Sequence, residues 1–170
     1  VSSQYWNPAK YPFCIGRAGV AVNYTPWLRQ LVNDINLAYV SGFYRLGDYQ
    51  ALSASLRYFS LGEVSTSSDM SSSDNMTISP YEMSVDVAYS RMLSETFSAA
   101  VALRFIYSDI TYDYSDETSP GKAFAADIAL YWNRYFTVRT REWNMGIGLN
   151  ISNIGSKISY GGDDNSEFIP

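Results

Sequence analysis

The chain has 170 residues, with 12 Lys+Arg against 17 Asp+Glu, which suits one domain with its own core and disfavours nucleic-acid binding, since phosphate contacts need clustered Lys and Arg. It contains no histidine, the commonest general base and metal ligand, and a single cysteine, Cys14, so neither an internal disulfide nor a thiolate metal cage can form. Charged residues are 17%, against about 25% in ordinary soluble domains, while aromatics reach 16% with 15 Tyr and 4 Trp. No run of about 18 apolar residues occurs, which excludes a transmembrane helix but not a transmembrane β-barrel, whose strands need only about 9–11 residues. Residues 1–8 have neither a basic start nor an apolar stretch, so any signal peptide is expected to have been removed.

From residue 18 onward the pattern has a period of two. Ala18, Val20, Val22 and Tyr24 oppose Gly19, Ala21 and Asn23. The weakest segment is 36–44, where Leu37, Tyr39 and Phe43 form the apolar face. Leu52, Ala54, Leu56 and Tyr58 oppose Ser53, Ser55 and Arg57. Tyr81, Met83, Val85, Val87 and Tyr89 oppose Glu82, Ser84, Asp86, Ala88 and Ser90, without exception. Phe97, Ala99, Val101, Leu103, Phe105 and Tyr107 oppose Ser98, Ala100, Ala102, Arg104 and Ser108, with Ile106 the exception. Phe124, Ala126, Ile128, Leu130 and Trp132 oppose Ala125, Asp127, Ala129, Tyr131 and Asn133. Trp143, Met145, Ile147, Leu149 and Ile151 oppose Asn144, Gly146, Gly148, Asn150 and Ser152. These are about seven antiparallel strands, long enough for the ~25 Å apolar band of an outer-membrane barrel.

One face is bulky and uncharged; the other is Gly, Ala, Ser and Asn with scattered charges. A soluble sandwich has the reverse economy, a bulky core and long charged side chains outside, and is the alternative here. Connector lengths alternate. Residues 26–34, 62–80 and 109–121 are long; 45–49 and 92–96 are short. Long outer loops and short periplasmic turns show this alternation, and it runs the first strand outward from the periplasm. Residues 134–142 are the exception, a nominal periplasmic turn that is long and basic. Aromatics crowd both strand ends, as in two interface girdles. An odd number of strands cannot close a single-chain bacterial barrel, so the chain is expected either to pair with something else or to be part of a longer one.

Asp86, Arg104 and Asp127 fall on the small, lumen-facing side. If residues 92–96 form a tight turn pairing Arg91 with Phe97, Ala102 lies opposite Asp86 and Arg104 sits diagonally from it, giving a charge pair inside the barrel. The structural role, fixing the wall, is preferred over lining a pathway. Cys14 is expected to be a small buried residue. Residues 161–167 (GGDDNSE) lack the spaced ligands of a calcium loop and read as an acidic outer loop. No catalytic residue, metal ligand or cofactor site is expected. An esterase needs a serine activated by histidine, and none is present.

Residues 6–13 (WNPAKYPF), 24–29 (YTPWLR), 31–40 (LVNDINLAYV), 50–64 (QALSASLRYFSLGEV) and 150–160 (NISNIGSKISY) carry a resemblance to a known family. With these stretches the chain resembles the PorV (LptO) family of the Bacteroidetes type IX secretion system over nearly its whole length. The resemblance implies a FadL-like outer-membrane β-barrel of about fourteen strands, roughly twice as long as this chain, of which residues 1–170 are the N-terminal half. It also implies a role. Such proteins work with the SprA (Sov) translocon, receive cargo through its C-terminal signal domain, and pass it to the PorU-containing attachment complex. Other implied classes are a lipid A deacylase, which the name LptO reflects, and a FadL-like channel for hydrophobic solutes. The first outer connector places Trp27, Leu28, Leu31 and Val32 where water is expected, which marks a partner surface. The alternative is that Trp27 and Leu28 dip into the membrane interface.

Overall fold

The computed structural model describes residues 3–26, 35–62, 64–66, 76–110, 120–159 and 166–167. A single helical turn, α1 (Ser3–Trp6), and a 310 helix (Pro8–Phe13) come first. The strands follow: β1 (Ala18–Pro26), β2 (Ile35–Arg45), β3 (Gln50–Leu61), β4 (Val64–Thr66), β5 (Met76–Ile78), β6 (Tyr81–Ser94), β7 (Phe97–Asp109), β8 (Gly121–Val138), β9 (Arg141–Gly155), β10 (Ile158–Ser159) and β11 (Ser166–Glu167). Seven long strands pair antiparallel in the order β1-β2-β3-β6-β7-β8-β9 and curl into a half-barrel. The small hairpin β4–β5 stands apart, inside the long connector between β3 and β6. β10 joins the start of β8 through Ser159 opposite Lys122, and β11 pairs with β10.

Cross-strand register turns the alternation of each strand into continuous rows. Val20, Gly42, Ala54, Val87 and Leu103 lie opposite one another across five strands. The convex face is the bulky one. Val87 is 52% exposed and Leu103 65%, whereas their chain neighbours Ala88 and Ala102 are buried. This inverts the pattern of a water-soluble sheet, where large apolar side chains go inside. At the end that carries the long connectors, Tyr58, Tyr81 and Tyr107 stack in succession at 5.7 and 5.9 Å between ring centres. At the short-turn end, Tyr44, Tyr49, Tyr89 and Trp143 are exposed. The two aromatic belts bracket the apolar rows, as interface girdles do.

Three sequence expectations need correction. Residues 134–142 are not a long turn. β8 runs to Val138 and β9 starts at Arg141, so only Arg139 and Thr140 turn, with Arg139 at φ 60°. The connector between β6 and β7 is likewise only Glu95–Thr96, because β6 continues to Ser94 past an irregularity at 92–94. That shifts the register by two residues, since Arg91 pairs with Ala99 rather than Phe97. Finally, Leu37, Tyr39 and Phe43 are not the membrane face of β2. Val40 pairs with the outward Leu56, so the odd-numbered residues of β2 point inward. Phe43 stacks on Tyr11 of the N-terminal segment, and Leu37 and Tyr39 line a cavity beside it.

Candidate functional site

The concave face carries the polar chemistry, and it gathers at one residue. With the register above, Arg104 lies directly opposite Asp86, not diagonal to it, and opposite Ala125 on the other side, two residues along β8 from Asp127 on the same face. Its Nε donates to Asp86 Oδ1. Nη2 donates to Asp127 Oδ2 at 3.0 Å and Nη1 to Asn153 Oδ1 at 2.7 Å. Asp86 accepts a further bond from Ser55 Oγ at 2.9 Å, and Asp127 one from the backbone N–H of Asn153 at 2.8 Å. Both carboxylates are buried, Asp86 at 2% and Asp127 at 4% exposure. One cation between two buried carboxylates thus ties together β3, β6, β7, β8 and β9. All three candidate residues from the sequence meet here.

The fifth strand is reached by an irregularity. Ala126 pairs with Ile154 but Ile128 with Ile151, so Ser152 and Asn153 together oppose Asp127. The bulge puts Asn153 at φ 61°, a left-handed conformation that asparagine tolerates better than most residues. Its side chain and backbone N–H both turn into the cluster as a result.

The second component is the N-terminal segment, which packs inside the curl of the sheet. Asn7 caps the 310 helix by accepting from the Ala9 N–H at 3.0 Å, and Pro8 follows at the first helical position, where its missing N–H costs nothing. The Asn7 carboxamide also donates to Leu130 O at 2.9 Å and reaches Leu149 O at 3.4 Å, binding the segment to β8 and β9. Gly148 makes room for it, since a Cβ there would lie 2.7 Å from Asn7 Nδ2. Ala9 is buried with Ala100 and Ala129, and its carbonyl accepts from Ser98 Oγ. Tyr11 stacks on Phe43 at 4.7 Å, and burial pushes its phenol above the usual value. Cys14 is half-buried rather than fully so; burial raises its thiol, and its carbonyl accepts from Arg45 Nη1 at 2.8 Å.

Beside this segment lies a cavity of about 520 Å³, lined by Tyr5, Trp6, Leu37, Tyr39, Arg57 and Phe59 among others. The Arg57 guanidinium sits over the Tyr5 ring at 4.3 Å. The wall here is rich in aromatic rings and carries both Arg57 and Glu82, unlike the small Gly, Ala, Ser and Asn side chains expected for most of the inner face. Alternation does not reveal this segment, because residues 3–13 lie outside the period-two pattern and form a helical turn and a 310 helix rather than a strand. The Asn7-Pro8 capping pair and the glycines at 146 and 148 were the available signals.

Trp27, Leu28, Leu31 and Val32 lie outside the described residues, as do residues 161–165 of the acidic loop. Each of the three guanidinium nitrogens of Arg104 donates one bond, so the cluster cross-links neighbouring strands. Among the described residues, no helix is long and apolar enough to cross a membrane, which says nothing of crossing with strands.

Comparison with known proteins gives one result over the whole chain. The sequence model described as type IX secretion system protein PorV matches residues 1–170. No curated protein matches the sequence.

Proposed function

The chain belongs to the PorV family of type IX secretion system proteins, and on that premise we propose that it forms part of the wall of an outer-membrane β-barrel working beside the SprA (Sov) translocon. The observation that carries the membrane reading is the inverted sheet: bulky uncharged rows outside, small and polar residues inside. Left in water, this face would far exceed the few hundred Å² of contiguous apolar surface that soluble monomers expose. In a bilayer the outer edges of β1 and β9 need partners, because unpaired backbone groups are costly in hydrocarbon. Further strands, completing a FadL-like barrel of about fourteen, supply them. Long connectors then face outward and short turns face the periplasm.

In this role the barrel receives cargo by its C-terminal signal domain as it leaves the translocon and hands it to the PorU-containing attachment complex. The convex surface meets outer-membrane lipid. The contact with partners falls to the outer connectors, with Trp27, Leu28, Leu31 and Val32 the residues of choice. The family is described as one of type IX secretion system proteins, which favours a role in secretion. Deacylation of lipid A is the less favoured reading, since the polar cluster among the described residues is an Arg–Asp ion-pair network that joins strands.

Affinity purification of the parent protein from detergent-solubilised outer membranes, followed by mass spectrometry, tests the assignment. A very large barrel protein and substrates with the type IX signal domain are expected to come along. The variant Trp27→Glu with Leu28→Glu is expected to lower that recovery severalfold while barrel assembly continues. Full recovery with the double variant removes the connector from the account. Isolation of the wild-type protein alone removes the adaptor role.

A further inference from the structure

We propose that the projecting end of the β8–β9 hairpin binds the phosphate of an anionic phospholipid headgroup between Arg134 and Arg141; this rests on the outer-membrane reading above. β7 ends its pairing with β8 at Phe97 opposite Trp132, and the last tie is the Asn133 N–H to Thr96 O at 2.7 Å. Beyond it the two strands continue alone to the turn at 139–140, roughly 17 Å of ribbon at about 3.4 Å per residue. All of it is exposed.

The register decides which side chains share a face. Arg134 pairs with Met145, Phe136 with Trp143, and Val138 with Arg141. All six continue the outward face of Trp132 and Ile147, so they carry the lipid-facing surface through the aromatic belt, to which Trp143 belongs, and on to the turn. The order along that surface is Arg134, then the Phe136–Trp143 cross-strand pair, then Arg141 beside Val138. Glu142 pairs with Thr137 and so belongs to the other face. Among the described residues, neither arginine has a carboxylate within ion-pair distance; the ion pairs lie at Arg104.

The two guanidiniums, four residue pairs apart or about 14 Å along the ribbon, flank the Phe136–Trp143 rings on the outward face. Aromatic rings and snorkelling arginines take the depth where hydrocarbon gives way to headgroups, and the planar guanidinium fork matches phosphate oxygens in pairs. A zwitterionic headgroup neutralises its own phosphate, so an anionic lipid gains more. The short-turn end places the site in the periplasmic leaflet.

The test reconstitutes the full protein into vesicles of equimolar phosphatidylcholine and phosphatidylglycerol and counts the lipids retained by native mass spectrometry. The wild type is expected to retain phosphatidylglycerol preferentially. Each arginine near an anionic surface is worth roughly fivefold in binding, so Arg134→Gln or Arg141→Gln lowers the preference by about that factor, and the double variant lowers it further. Lys122→Gln, at the opposite rim, leaves it unchanged. An unchanged preference in a folded, inserted double variant overturns the proposal, also if the hairpin then proves to contact a protein. Protein that fails to insert into the vesicles overturns the membrane reading and this proposal with it. Protein that inserts but retains both lipids equally overturns this proposal alone.

Discussion

Replacing Arg104 by methionine is expected to destabilise the barrel by about 3–5 kcal/mol, the cost of removing one partner from a buried charge cluster. The reason is the arithmetic of the site. Among the described residues, Arg104 is the one cation bonded to Asp86 and Asp127, both almost fully buried. Without it two carboxylates remain in the wall with no counter-charge. Neutralising them as well, in Asp86→Asn with Asp127→Asn and Arg104→Met, is expected to restore most of the loss, because the amides keep the size and several of the hydrogen bonds. Urea unfolding of the folded protein in lipid vesicles measures both. A loss below about 1 kcal/mol in the single variant, the level of an exposed ion pair, contradicts the buried-cluster account.

The second large effect comes from the opposite face. Val87→Arg or Leu103→Arg, at mid-strand on the convex surface, is expected to cost about 2–4 kcal/mol, as charge does at the midplane of a barrel's lipid face. Both positions are more than half exposed. In a soluble protein such sites change stability by only about 0.5 kcal/mol either way. Thr137→Arg, exposed on the hairpin beyond the neighbouring strands, is the control and is expected to be neutral. The same urea titration reads all three. A neutral result at Val87 and Leu103 means that water, not lipid, covers this face.

The two faces were readable in the sequence where each strand has a single environment on each side. β6 is the clearest case: Met83, Val85 and Val87 alternate with Ser84, Asp86 and Ala88, and the structure separates them accordingly. β2 misled because its environment is mixed. Its outward row includes Ala38 and Gly42, while inward Phe43 and Tyr39 meet Tyr11 and the Tyr5 side of the cavity. Alternation alone assigns the bulkier row to lipid, and nothing local in residues 36–44 reveals a segment about 30 positions earlier in the chain that packs on its inner side.

The charge cluster was legible as residue types on one face, but its geometry was not. Whether Arg104 meets Asp86 squarely or diagonally depends on a two-residue choice in the turn, and the turn sequence MLSET lacks a glycine or asparagine to fix it. Asn153 joined the cluster through a bulge that leaves no mark in a period-two pattern. The basic stretch at 134–142 stood out as anomalous for a turn. The structure explains it as strand: Arg134, Phe136 and Val138 keep the alternation going past the rim, with charge entering the outward row where the apolar band ends.

Both faces converge on one claim, that the convex side of the sheet looks onto hydrocarbon. The most direct measurement is photolabelling in isolated outer membranes, using a phospholipid with a photoactivatable group near the end of its acyl chain, and mapping adducts by mass spectrometry. The account predicts adducts on Val85, Val87, Leu103 and Ile147, and none on Ala88, Ala102 or Ser55 of the concave side. Adducts on both sides alike, or none on the convex rows, contradict it.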